Sequence, residues 1–392
     1  MKVGKPVRME DPLNPPLPLW FGDAALHAIK GPCEPNAEYW RLFLEAGPTA
    51  LAPNLNTRCG ILGLGTGFLP VTVNHGEADN SYPCSLLTQY VRYPLGEMRL
   101  LNRGLPRLAA WAALKGLGGV LEFGHVDRVV QWNSWLMSTN LLPPISGAVL
   151  QATTETLVRA FPQHAVLVKN IHDRDGAGLP GLFLQAGYSL FPSRKIYFFE
   201  GKAARFLARS NVRQDLAALQ KLKNYEQVEH QDFCGEDVPR IVRLYEMLYL
   251  EKHSRLNPRY TPLFVKKALE KRLLEFRGLR HASGRIDAVF ACFRRGGALA
   301  TPFVGYDTAL GSESGFYRLL VAMLLKRVAE EGMLLNYSSG AGDFKRRRGG
   351  EECIEFNAIY TRHLPVERRL PFFILEKCAN QFGRRFLSGS TV

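Results

Sequence analysis

The order of hydrophobic periodicities between residues 274 and 360 restricts this chain to a small set of folds. Three runs, over 274–282, 286–294 and 298–306, are strand-like, short and bounded by turn residues. Ser283-Gly284-Arg285 and Arg295-Gly296-Gly297 connect them, short glycine-bearing links that suit hairpin turns. A loop over 307–315 leads into a helix over 316–331, with Leu319, Leu320, Met323, Leu324 and Val328 on its apolar side and Gly332 as its stop. Strands at 333–338 and 354–360, a Gly/Arg loop at 339–350 and a closing helix over 371–386 complete the half. A meander that feeds a helix and then further strands is an α/β (α+β) arrangement.

Three helices are expected ahead of the meander, over 206–225, 236–254 and 261–272, the last with Thr261 as N-cap and Pro262 in its first position. The first half repeats the later part of this order. Strand, loop, helix, strand, helix and strand are expected at 129–136, 138–146, 147–161, 165–171, 179–186 and 195–199. The repetition is one of architecture, with a seam near 200–213. No low-complexity linker marks the seam, so the halves are expected to pack closely, as domains 1–200 and 201–392.

A chain of 392 residues with 46% hydrophobic content suits two cores. No run approaches the roughly 18 apolar residues a membrane span needs, and residues 1–18 are proline-rich and charged without a secretion-signal core. The chain is therefore expected to be cytoplasmic with an extended N-terminal arm. Seven cysteines are scattered without a CxxC pair, which points to buried thiols and to no metal or disulfide framework. The formal charge of +14 favours an anionic partner: a phosphorylated cofactor, a nucleic acid or an acidic membrane face. Gly63-Leu64-Gly65-Thr66-Gly67 lacks the following helix of a dinucleotide loop. Trp132 and Trp135 suit a core or a groove lining, and His125, His164 and His172 suit structural roles.

Phe303-Val304-Gly305-Tyr306-Asp307, Gly315-Phe316-Tyr317-Arg318-Leu319-Leu320 and Asn336-Tyr337 running to Phe344-Lys345 together resemble the GNAT acyltransferase superfamily. The branch is the one of Fem-type aminoacyl transferases and tandem-GNAT proteins, in which a strand ending in Tyr-Asp precedes a Gly-started helix and the next strand leads to an aromatic-Lys pair. The likeness covers about 232–365. A fainter one lies at Gly187-Tyr188 and 192–197, and residues 1–120 show none. The implied architecture is two tandem GNAT-like domains, each a mixed, mostly antiparallel sheet flanked by helices, with the first divergent and the donor site in the second. The implied reaction moves an acyl or aminoacyl group from acyl-CoA or aminoacyl-tRNA onto the primary amine of a small molecule or peptide by direct attack, without metal. A catalytically inactive GNAT-fold binding or regulatory protein is the alternative.

The resemblance also implies site residues. The donor phosphates would meet the turn of Gly311, Ser312, Ser314, Gly315 and Phe316, where free helix-start amides and the helix dipole favour an anion. The strand near Val304 would offer an N–H to the acyl oxygen. Lys345 would contact donor or substrate anion, with Arg346 beside it. Tyr306 or Tyr337 would protonate the leaving group, and Asp307 or Asp343 would act as base or orient the amine. The turn departs from the superfamily's usual phosphate loop: no basic residue precedes Gly311, and Glu313 sits within it. Ser138-Thr139-Asn140 begins the corresponding loop of the first half, a vestigial or substrate-facing site.

Overall fold

The computed structural model describes residues 16–29, 36–98 and 105–383, except 66, 175 and 177. Most of the expected N-terminal arm, Cys33 and the end of the expected last helix lie outside them. In the first half, β1 (Leu19–Phe21) is followed by α1 (Asp23–Ala28), α2 (Ala37–Ala46) and α3 (Pro48–Leu51), then β2 (Arg58–Leu64) and β3 (Gly67–His75). Next come α4 (Tyr93–Glu97) and α5 (Leu105–Phe123), β4 (Arg128–Trp132), α6 (Gly147–Ala160), β5 (Ala165–Ile171), α7 (Leu179–Gln185) and β6 (Ser189–Glu200). The second half has α8 (Ser210–Gln220), β7 (Tyr225–Val228), α9 (Val238–Tyr245), α10 (Pro262–Glu270), β8 (Glu275–His281), β9 (Ile286–Arg295) and β10 (Ala298–Tyr306). It closes with α11 (Phe316–Glu331), β11 (Leu334–Asn336), α12 (Gly342–Arg347), β12 (Glu351–Tyr360) and α13 (Val366–Cys378).

The twelve strands among the described residues belong to one sheet, ordered β1-β2-β3-β4-β5-β12-β6-β11-β10-β9-β8-β7. Exchanging β1–β6 with β7–β12 turns this order into its own reverse. Parallel pairing occurs twice, at β4–β5 and β10–β11, which are equivalent places under that exchange. The two halves are thus tandem copies of one unit, mostly antiparallel and clad in helices, as the sequence implied. Each copy lends its last strand to the other. β12 of the second half lies between β5 and β6 of the first, and β6 pairs with β11 of the second. Residues below 120, which resembled nothing, supply the first three strands of the first copy. Leu64 at the end of β2 pairs with Gly67 at the start of β3.

Several boundaries differ from the sequence reading for local reasons. The first-half strand stops at Trp132 because Asn133 and Leu136 turn to positive φ, 53° and 58°. The 206–225 helix is shorter, because Tyr225 is drawn into β7 by pairing with His281. The amphipathic helix from 236 is regular only as α9 and continues over 246–253 as a wider π-type turn. Residues 339–350 are no mere loop but contain α12, entered through Ala341 at φ 49°. α13 begins at Val366 and takes Pro371 inside it, pressed against Gly124, where a Cβ would lie 2.1 Å from Pro371 Cγ. Thr261 does cap α10, its hydroxyl accepting from Phe264 N–H. Trp132 and Trp135 are core residues. Cys59, Cys84 and Cys292 are buried thiols, whereas Cys234 is exposed. Among the described residues no helix is long and apolar enough to cross a membrane.

His164 joins three elements: its Nε2 meets Nδ1 of His75 at 3.0 Å, and its carbonyl accepts from His363 Nε2. Burial, and then His75, push its pKa down to about 4. Unfolded, it would bind a proton below its usual value near 6.5. Stability contributed by the neutral imidazole is therefore present above about pH 6.5 and lost as pH falls toward 4. Replacing His164 with Gln should shrink the fall in Tm between pH 7 and pH 5 by about 1–2 °C, and an unchanged pH profile would reject this account.

Candidate functional site

β10 and β11 start as neighbours and then part. They pair only over Ala298–Ala300 with Leu334–Asn336. Past Ala300 a bulge shifts β10 against β9 until register resumes at Phe303. β11 ends at Asn336 while β10 runs on to Tyr306, so one edge of β10 opens into a V-shaped gap. Asp307 N–H donates across to Asp287 O on β9, 2.8 Å away. Strand alternation then turns Phe303 and Gly305 N–H toward β9 and sends Val304 and Tyr306 N–H into the gap. Gly305 is required where α9 crosses the strand, since a Cβ there would lie 2.7 Å from Leu244 C and Tyr245 N.

The chain leaves β10 on a turn held by Asp307. Its Oδ1 accepts from Ala309 N–H (2.9 Å) and its Oδ2 from Arg240 Nη2 (2.6 Å), which also reaches Asp287. Gly311 and Gly315 take φ of 73° and 63°, and Ser314 Oγ donates to Gly311 O. Gly315 is the N-cap of α11 and no side chain caps it, so the first α11 amides lack helical partners and face outward. Phe316 itself is buried, Glu313 is exposed, and the Ser312 side chain lies outside the described residues. Arg318, in the first turn, places its guanidinium 3.8 Å from where a Gly315 Cβ would be. Asp215 of α8 steadies it at 3.4 Å and is itself bonded by Arg348 Nε at 2.6 Å. The positive charge absent ahead of Gly311 is thus supplied from behind it.

At the end of β10, Tyr306 is half-buried and accepts from Lys252 Nζ at 3.2 Å. Tyr337 is buried, its pKa driven well above the usual phenol range by burial and then by Tyr317. Burial likewise lifts Tyr317 to about 12. Lys345 is buried, donating to the carbonyls of Tyr337 (2.7 Å), Ser338 (3.3 Å) and Ser339 (2.8 Å). Burial and then Arg194 push its pKa down to about 7, while the three carbonyl acceptors favour the charged form. Lys345 therefore ties the end of β11 to α12. Asp343 is exposed and paired with Arg346, which also binds Glu352 at 3.2 Å. Of the residues expected to act, Val304, Tyr306 and the Gly311–Phe316 turn surround the gap. Tyr337 and Lys345 stand behind it, and Asp307, Asp343 and Arg346 are engaged in ion pairs.

The matching gap of the first half is closed. β4 and β5 pair over Val129–Gln131 and Ala165–Leu167. The following loop folds back: Asn140 N and Nδ2 both donate to Asn170 Oδ1 at 2.8 Å, with Thr139, Asn140 and Asn170 buried. Arg194 Nη2 donates to Ser138 O and Thr139 Oγ1, and its Nε to the buried Glu355 at 2.6 Å. The 138–140 stretch is sealed, not substrate-facing. Two surface grooves, one under α13 and one beside α10, share no residue with the open gap. Strand geometry, not depth, marks the site.

Residues 208–346, which contain the open gap, match the family described as acetyltransferase (GNAT) domain. The second half carries a GNAT domain. No curated protein matches the chain. Among solved structures it is similar to FemX, at 9% identity over 59% of this chain and 80% of that one, with a TM-score of 0.45. L-PGS from Bacillus licheniformis gives 15% over 58% and 78%, TM-score 0.41. A tandem GNAT protein from the clavulanic acid biosynthesis pathway gives 12% over 86% and 92%, TM-score 0.39. Within the GNAT domain the sequence reading overlooked Arg318, although its spacing of three from Gly315 puts both on one helix face. It also overlooked Arg194 and Glu355, whose meeting depends on the strand exchange. Among the described residues no group of His, Cys, Asp or Glu could hold a metal ion.

Proposed function

We propose that this protein transfers an acyl group from an acyl-CoA to a primary amine in the β10–β11 gap. The observation that carries the reading is the conjunction of free Val304 N–H, uncapped α11 start and Arg318 along one edge. The donor phosphates would lie on the α11 amides under Arg318, and the thioester carbonyl would accept from Val304 N–H. The amine nitrogen attacks the carbonyl carbon, the C–S bond breaks, and the departing thiolate takes the Tyr306 hydroxyl proton. The proton shed by the amine, passed through water in the gap, restores Tyr306. Tyr337, held protonated by burial, orders Tyr317 and the gap wall. Asp307 fixes the turn that aims the amides.

The acceptor would enter between the halves, where Tyr82 N–H of the first half donates to Leu256 O of the second at 3.2 Å. A second reading, an aminoacyl-tRNA donor with an ester bond in place of the thioester, is favoured by the +14 charge. Thermal shift with acetyl-CoA, beside filter binding of total tRNA at two salt concentrations, separates the two. Saturating acetyl-CoA should raise Tm by about 3–5 °C. Salt-sensitive tRNA retention without that shift would move the donor to tRNA, and neither response would refute both. Arg318→Ala should raise the KM for the donor about tenfold with little change in kcat, because Arg348 continues to neutralise Asp215. An unaltered KM would remove Arg318 from the donor site.

A further inference from the structure

The first half contains an element its own fold does not require. Between β3 and β4 the chain inserts α4 and α5, while the equivalent β9–β10 connection is made by Gly296-Gly297 alone. α5 buries little of itself: Gly118 and Leu121 face the protein, whereas Leu105 is 82%, Leu108 59%, Trp111 48% and Phe123 88% exposed. Its C-terminal end abuts α13 at Gly124, whose carbonyl accepts from Arg368 Nε. α13 adds Val366, Leu370 and Phe373, all more than half exposed. Their spacing of four and three residues makes one stripe along the helix, and the stripe borders a groove of about 320 Å³ also lined by Phe191, Ile359 and Phe372. So much apolar surface on two abutting helices marks a contact surface.

The charge around it selects the partner. Among the described residues, 105–123 carry Arg107 and Lys115 against Glu122, and 362–378 carry Arg362, Arg368, Arg369 and Lys377 against Glu367 and Glu376. Lys115 Nζ lies 5.9 Å from the Trp111 ring centre and Lys377 Nζ 5.1 Å from that of Phe373. Each pair is an apolar body tipped with a cation, the arrangement that seats a side chain at a lipid headgroup layer. A second copy of the chain would bring like charges together. We infer that α5 and α13 form a docking face for an anionic lipid bilayer, lying on its surface without spanning it.

Co-sedimentation with vesicles of phosphatidylcholine, alone or mixed with phosphatidylglycerol, tests this on the full chain. The protein should pellet with the anionic vesicles, less so in high salt, with a blue-shifted emission that Trp111→Phe diminishes. Trp111→Ser with Phe123→Ser, and separately Leu370→Ser with Phe373→Ser, should each lower the partition coefficient about tenfold or more. Thermal melts of both variants should stay close to the parent's, since these side chains are about half exposed or more. Absence of vesicle binding, or equal binding by the variants, would overturn the inference. So would sedimentation velocity showing a dimer that the same substitutions dissolve.

Discussion

Replacing Val304 with proline should slow amide formation about 100- to 1000-fold, the usual cost of removing one oxyanion donor, while the donor still binds. The substitution deletes the strand amide proposed to hold the acyl oxygen and leaves Tyr306 N–H in the gap. It removes no ladder hydrogen bond, because Val304 N–H points away from β9, and proline is tolerated on a strand edge of this kind. Gly305→Pro is the contrasting control. That amide faces β9, and any Cβ at 305 would strike the backbone of α9, so it should destabilise the protein along with its activity. Single-turnover rates beside acetyl-CoA thermal shifts would distinguish the two. A Val304→Pro protein that binds donor and turns over at the parental rate would show that the acyl oxygen is held elsewhere.

Arg194→Leu should lower the folding free energy by about 3–5 kcal/mol, the range for stranding one partner of a buried ion pair. Glu355 has 1% of its side chain exposed, and Arg194 Nε, 2.6 Å away, is its principal partner. The same guanidinium reaches Ser138 O and Thr139, so its loss also loosens the loop that seals the first-half gap. Removing both charges, as Arg194→Leu with Glu355→Leu, should restore most of the stability, since no uncompensated carboxylate is left buried. Urea midpoints at constant m-value would measure both. A double variant as unstable as the single one would mean that packing, and not charge, holds this junction.

Much of the second half was legible because its signals are local. Gly332 ends α11 where the apolar periodicity stops, Thr261 and Pro262 open α10, and the strand-like runs of the meander sit between glycine turns. The gap was legible only through resemblance, for nothing within Ala298–Tyr306 itself announces that a neighbouring strand has ended. Lys345 and Asp307 illustrate the limit on side-chain roles. Each has the chemistry for the site, yet Lys345 closes on three carbonyls and Asp307 on Arg240 and Ala309 N–H, partners fixed by tertiary folding. α12 was hidden in a Gly/Arg run whose six-residue helix is too short to show periodicity. The first three strands went unseen because their pairing partners set them as much as their residues do.

The interleaving of β6 and β12 also governs how a nascent chain can mature. When the first half has left the ribosome, β5 still lacks the neighbour that Phe356 to Tyr360 will provide. Its inner edge must stay open until nearly the whole polypeptide is made, and pairings so distant in sequence form slowly. A chain interrupted at the seam would therefore yield two sticky, unfinished sheets instead of two folded halves, and chaperone demand should fall on that waiting edge.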